Sequence, residues 1–218
     1  LPETVTDRIR RRFEWNRANP MGAVRAISNF PGLAPMLLVF LIYSIATAVY
    51  AAVWPFFTAE RFSWSPGMIG ISLTIYGVCF AIVQGALVKP AIKRFGEHKT
   101  VVIGFVFEIF GLGMMSVLTN GFILLFLIPV AALGVVGQPA LQAILSRGTS
   151  DDSQGILQGV LGSLTAVSMI IAPISMTWVF SVFTENDALI YYPGAPFAVS
   201  AFLLFIGLFI FLRKGRDV

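Results

Sequence analysis

The chain has 218 residues, of which 57% are hydrophobic and only 12% charged, and its mean hydropathy is +0.84. Globular domains usually carry about 25% charged residues, so this composition fits a lipid-facing surface and disfavours a soluble fold. The net charge of +4 does not point to nucleic acid, because the basic residues are spread over connections without interleaved aromatics; contact with anionic lipid accounts for them better.

Residues 1–31 open on Leu1-Pro2-Glu3-Thr4, without an initiator Met, and are arginine-rich with no apolar core. They do not resemble a signal peptide and are expected to form a cytoplasmic inter-domain linker. Six apolar stretches follow, at about 33–57, 67–88, 100–118, 122–145, 156–183 and 195–212. Each is near or above the ~20 residues a helix needs to cross the hydrocarbon core. A six-helix transmembrane domain is therefore expected over 32–213, with a cytoplasmic tail over 214–218. The outside turns are expected at Ala59–Ser65, Thr119–Gly121 and Thr184–Pro193.

The connections carry an orientation signal. Numbered alternately, one set holds Arg8, Arg10, Arg11, Arg12, Arg17, Arg25, Lys89, Lys93, Arg94, Lys99, Arg147, Arg213, Lys214 and Arg216, and the other only Arg61. The positive-inside rule then places both termini in the cytoplasm of a multi-pass protein of the cell (inner) membrane. Trp54, Trp64, Trp178, Tyr191 and Tyr192 suit interfacial anchors. Gly155, Gly159 and Gly162 leave one face of the fifth span bare, so a neighbouring helix is expected to approach there closely. Pro139 and Pro173 are expected to kink the fourth and fifth spans.

Chemistry inside the membrane centres on Glu108, the one formally charged residue in the middle of a span. Placing an ionised side chain there costs about 2.5–3.5 kcal/mol for a comparable Asp. Structurally it can be a protonated acid bonded to a neighbouring helix, or one held by a cation in a missing half of the protein. Functionally it can be a proton-coupling site, since desolvation disfavours the charged form and lets the group load and release a proton. Tyr76, Phe80 and Gln84 share a face of the second span. Gln138 and Gln142 stack on the fourth, and Gln158 and Thr165 on the fifth. These groups are expected to bind substrate in a shared cavity, although each alone can equally be interhelical glue. Lys93, Arg94, Arg147, Asp151 and Asp152 are candidate gating charges in the loops Lys89–Lys99 and Arg147–Asp152, with Arg147 pairing with Asp151 or Asp152.

With Cys79 and His98 as the only cysteine and histidine, neither disulfides nor metal clusters are expected. His98 is expected to be solvated in a basic loop. No catalytic constellation appears, so the chain reads as a non-enzyme without a cofactor.

The run Gly137-Gln138-Pro139-Ala140-Leu141-Gln142-Ala143-Ile144-Leu145-Ser146-Arg147, followed by Gln154-Gly155-Ile156-Leu157-Gln158-Gly159, closely resembles tetracycline/H⁺ antiporters of the major facilitator superfamily. So do Glu60-Arg61-Phe62-Ser63-Trp64, Ile69-Gly70-Ile71-Ser72-Leu73 and Arg94-Phe95-Gly96-Glu97. The resemblance covers essentially the whole chain. It implies an all-α membrane fold, with this chain as the C-terminal six-helix domain (helices 7–12 of 12) and an N-terminal six-helix half as partner. It also implies alternating access, with export of a small drug or metabolite against protons. Glu108 matches a proton-coupling carboxylate on helix nine, as Glu in place of the usual Asp. Gln84 matches a substrate-pathway Gln on helix eight. Phe80 departs from the family, standing where tetracycline transporters typically carry His. Two other readings are a self-sufficient six-helix dimeric transporter or channel, and a non-transporting membrane scaffold.

Overall fold

The computed structural model describes residues 32–185 and 188–214. Expectations for the linker 1–31, for Asp187 and for tail residues 215–218 fall outside the described residues. Among the described residues, six helices are long and apolar enough to cross a membrane: α1 (Ala34–Phe62), α2 (Pro66–Phe95), α3 (Glu97–Val117), α4 (Gly121–Arg147), α5 (Asp151–Val182) and α6 (Ala195–Lys214). Long helices follow from apolar sequence in lipid, where each backbone N–H and C=O must be satisfied within the segment.

The helices outrun the predicted spans because their connections are very short. The expected turn at 59–65 shrinks to Ser63–Ser65. Ser63 caps α1 in the left-handed region (φ 52°), and the Ser65 hydroxyl accepts from the Met68 N–H where Pro66 opens α2. The expected gating loop Lys89–Lys99 is likewise helical on both sides of a single residue, Gly96 (φ 78°). Only glycine reverses the chain there without steric cost, so Lys93 and Arg94 ride on the last turn of α2. His98 does not lie in a solvated loop. It sits in the first turn of α3, half-buried, its ring 4.5 Å from that of Phe211 on α6 and its Nε2 buried without a partner.

Around α1, the most buried helix, α6, α5 and the end of α4 are packed, while α3 sits against both α4 and α6. Phe40, Phe57, Phe105, Phe197 and Phe211 fill the interior. A close backbone approach joins α3 and α4: a Cβ on Gly104 would run into the Gly137 backbone. On α5 no neighbour among the described residues makes the expected approach. Gly155, Gly159 and Gly162 meet nothing within 4 Å, so within this chain that bare face is open. Gly77 and Gly85 on α2 are open too. Pro173 passes through α5 without ending the helix, whereas α4 tightens to a 3₁₀ turn at Leu133–Val136 before Pro139.

The ends of the bundle differ in charge. Lys89, Lys93, Arg94, Lys99, Arg147, Arg213 and Lys214 lie at the end where α2, α4 and α6 finish; Arg61 lies at the other, its Nε–H donating to the Leu118 carbonyl (3.1 Å).

Candidate functional site

Glu108 lies midway along α3 and is 2% exposed. Its carboxylate Oε2 accepts from the Tyr50 hydroxyl of α1 at 3.3 Å. The side chain fits because α4 offers glycine opposite it: a Cβ on Gly134 would stand 2.5 Å from Glu108 Cγ and 2.9 Å from its Cδ. The charged residues of α4 and α6, Arg147, Arg213 and Lys214, all sit in the last turns of those helices. Among the described residues the carboxyl therefore has one phenol, that of Tyr50, bonded to it and no cation beside it.

An aromatic run leads outward from this centre. The Tyr50 ring stacks on Tyr76 (centroids 5.9 Å apart, 29° between planes), and Tyr76 lies 6.1 Å from Phe80, which is 40% exposed. One turn from Tyr50, Trp54 Nε1–H donates to Ser72 Oγ (3.0 Å), while the Ser72 hydroxyl donates to the Ile69 carbonyl (2.7 Å). Gln84 falls in a five-residue π-helical stretch, Val83–Leu87. Such turns are often found at functional positions.

Of the residues predicted from sequence, Tyr76 and Phe80 are thus joined to the surroundings of Glu108, and Gln84 follows them along α2. Gln138 and Gln142 are half-buried on α4. On α5, Gln158 is exposed, and half-buried Thr165 turns its hydroxyl back to the Leu161 carbonyl at 2.9 Å. α2 and α5 do not pack on each other, so this chain alone does not close the expected cavity. Tyr50, Trp54–Ser72 and Gly134 were not singled out as site residues in the sequence; the signal for Tyr50 was its i, i+7 spacing from Tyr43 on an otherwise apolar helix.

The expected pairing of Arg147 with Asp151 or Asp152 is replaced by another. Arg147 Nη2 is 3.0 Å from Glu97 Oε1, in the first turn of α3. The one-residue connection at Gly96 brings that turn beside the end of α4, and each charge complements its helix terminus. Asp151 and Asp152 remain exposed at the start of α5. At the opposite end, an open pocket of about 400 Å³ is lined by residues including Arg61, Trp64, Met68 and Asn120. None of the predicted site residues lines it. Also at that end, the Tyr191 hydroxyl donates to Glu60 Oε1 (2.7 Å), a bond that raises the ionisation of Tyr191 above its usual 10.0.

Comparison with known proteins agrees with this architecture. The family model for the Major Facilitator Superfamily matches residues 36–217. The tetracycline resistance protein, class C, of Escherichia coli is 36% identical over 172 residues, covering 79% of this chain and 43% of that protein. The class G protein of Vibrio anguillarum is 34% identical over 165 residues (76% and 42%), and the class E protein of Escherichia coli 31% identical over 188 (85% and 45%). The chain thus spans less than half the length of these relatives.

Proposed function

This chain belongs to the Major Facilitator Superfamily, a family of transporters rather than enzymes, and from that premise we propose that it forms the C-terminal half of a proton-coupled efflux antiporter. It works with an N-terminal six-helix half in a cell (inner) membrane, with the basic end of the bundle and both termini in the cytoplasm. The substrate is a small amphipathic drug or metabolite, moved by alternating access.

One observation carries the reading. A carboxyl group is buried in mid-span with a phenol as its hydrogen-bond donor and no cation beside it among the described residues. Such a group is costly to keep charged, and a stable fold alone would be served as well by leucine. Proton loading relieves that cost, and proton release restores it, so the bundle has two states of different energy.

The open faces of α2 and α5 support the partner. Both carry exposed glycines with nothing within 4 Å, and both carry polar candidates: Tyr76 and Gln84 on one, Gln158 and Thr165 on the other. A second bundle laid across these faces would enclose them with Gln138 and Gln142 in one cavity. The tetracycline resistance names of the relatives suggest drugs of that kind. Phe80 in place of the expected His argues for an amphipathic molecule held by aromatic and amide groups. Lys93, Arg94 and the Glu97–Arg147 pair sit where the cytoplasmic ends of α2, α3 and α4 meet and would act in gating.

The test is substrate-driven proton release from everted vesicles holding the transporter that contains this chain, over a drug panel that includes tetracycline. Wild type is expected to release protons with at least one drug, and Glu108→Gln at equal expression is expected to lose the signal. Full export by Glu108→Gln with the proton gradient collapsed would overturn the proposal.

A further inference from the structure

We infer that Tyr50 is a positioning residue that links the protonation state of Glu108 to the substrate face of α2. The inference rests on the antiport reading above and adds to it the element through which proton and substrate sense each other.

The geometry is a two-rung ladder between α1 and α2. Tyr50 and Trp54 are one turn apart on α1; Ser72 and Tyr76 are one turn apart on α2. The helices run in opposite directions, so Tyr50 meets Tyr76 and Trp54 meets Ser72. Trp54 and Ser72 are both buried and joined by an indole hydrogen bond, which makes a fixed pivot. The other rung is a ring stack with no hydrogen bond across it, and so it can slide. Tyr50 alone of these four residues also touches the carboxyl.

Protonation changes what that contact requires. A carboxylate has only acceptors, so a phenol beside it must donate; a carboxylic acid carries its own O–H and can turn it elsewhere. Charge-assisted hydrogen bonds are also about twice as strong as neutral ones. The Tyr50–Glu108 distance of 3.3 Å exceeds the usual range of about 2.5–3.0 Å for O–H···O, which leaves room to tighten. Ionisation of Glu108 therefore draws the Tyr50 ring toward α3, and proton uptake releases it. Each movement is felt by Tyr76 through the stack and then by Phe80 at the open face.

Other groups around Glu108 do not offer this route. Tyr43, from α1, lies inside the core against the ring of Phe105 (5.2 Å), not against α2. α4 contributes Gly134, which has no side chain to move. α6 has its described charges, Arg213 and Lys214, in its last turn, and the charged residues of α3 besides Glu108 (Glu97 and Lys99, with His98 between them) are in its first turn. A substrate that reorients Tyr76 must, by linkage, change the affinity of Glu108 for its proton by the same factor that the proton changes substrate affinity.

The experiment separates substrate handling from coupling. Tyr50→Phe keeps the ring and its stack but removes the hydroxyl. In vesicles containing the transporter, substrate exchange at zero proton gradient is expected to stay within about twofold of wild type. Export driven by a proton gradient is expected to fall tenfold or more. A merely structural role would lower both together and overturn the inference, as would full retention of driven export. Loss of coupling in Glu108→Gln with normal coupling in Tyr50→Phe would sink this inference while the antiport reading stands. Absence of proton release in wild type would instead sink that reading. If Tyr50→Phe does not accumulate in the membrane, wild type decides by infrared difference spectroscopy across pH. A tyrosine C–O band that changes together with the Glu108 carboxyl band, both absent in Glu108→Gln, supports the link; a carboxyl change with no tyrosine change overturns it.

Discussion

Gly134→Ala is the substitution in which packing and proton chemistry meet. The new methyl carbon would stand 2.5 Å from Glu108 Cγ and 2.9 Å from Cδ and from the Glu108 backbone nitrogen. Carbon atoms prefer separations of about 3.5–4.0 Å, so α4 must withdraw by roughly an ångström or the carboxyl must turn off its rotamer. Overpacking of this kind costs about 1–3 kcal/mol. Gly113→Ala is the control on the helix that carries Glu108, since a Cβ there meets nothing within 4 Å. Helix propensity alone predicts a gain there of about 0.8–1.0 kcal/mol. Detergent-titrated unfolding of the purified protein, followed by tryptophan fluorescence, should place Gly134→Ala below wild type and Gly113→Ala at or above it. Substrate-driven proton release should fall in the first variant alone. Equal behaviour of the two variants would refute the argument that glycine at 134 is held there by the Glu108 side chain.

Arg147→Met is expected to lower stability by about 1–3 kcal/mol, because the Arg147 side chain is 78% exposed but its partner Glu97 only 12%, and a largely buried carboxylate left without its partner carries a desolvation penalty of that order. The exchange Glu97→Arg with Arg147→Glu should restore the pairing but only part of the stability, because each charge would then oppose its helix terminus; the same unfolding titration measures both. At the other end of the bundle, the Tyr191 hydroxyl ionises above 10.0 because it donates to Glu60 and ionisation would break that bond. A raised value in the folded state means that the contribution of this contact is fully present below pH 10 and is lost as pH climbs through the raised value. Ultraviolet difference titration should show the ionisation of exposed Tyr191 move to lower pH in Glu60→Gln, and an unchanged curve would contradict the assignment.

The sequence made the spans legible because lipid imposes one dominant constraint, and Glu108 stood out as the one charge in mid-span. What it hid depends on contacts between distant segments. Tyr50 reads as one more aromatic in an apolar helix until α1 is laid against α3. Arg147 has acidic neighbours a few residues downstream, so local sequence favours Asp151 or Asp152. The choice of Glu97 depends on Gly96 reversing the chain within a single residue. His98 sits in a basic stretch that looks solvated, yet the same reversal carries it into α3 against Phe211. Glycine patterns have a similar ambiguity. A bare helix face announces that something can come close, but Gly104 and Gly134 are occupied within this bundle whereas Gly155, Gly159 and Gly162 are not.

That last contrast bears on how such a bundle stays stable while it moves. The helices holding the buried carboxyl and its glycine seat, α3 and α4, are locked together through Gly104 and Gly137, where no side chain gives slack. α2, only 17% buried over its most apolar stretch, packs on α4, in part through the buried cluster of Val83, Val88, Val135 and Val136, and meets α1 through the indole bond from Trp54 and a ring stack that can slide. Its π-helical stretch at Val83–Leu87 departs from regular α-helical bonding close to Gln84. In the proposed antiporter, rigidity is thus concentrated around the buried carboxyl, and compliance on the face assigned to substrate. On the proposed coupling, a change at Glu108 reaches the open face through Tyr50 and Tyr76. The opposite placement, a loose α3 and a locked α2, would let the carboxyl relax locally and leave the substrate face unaware of the proton.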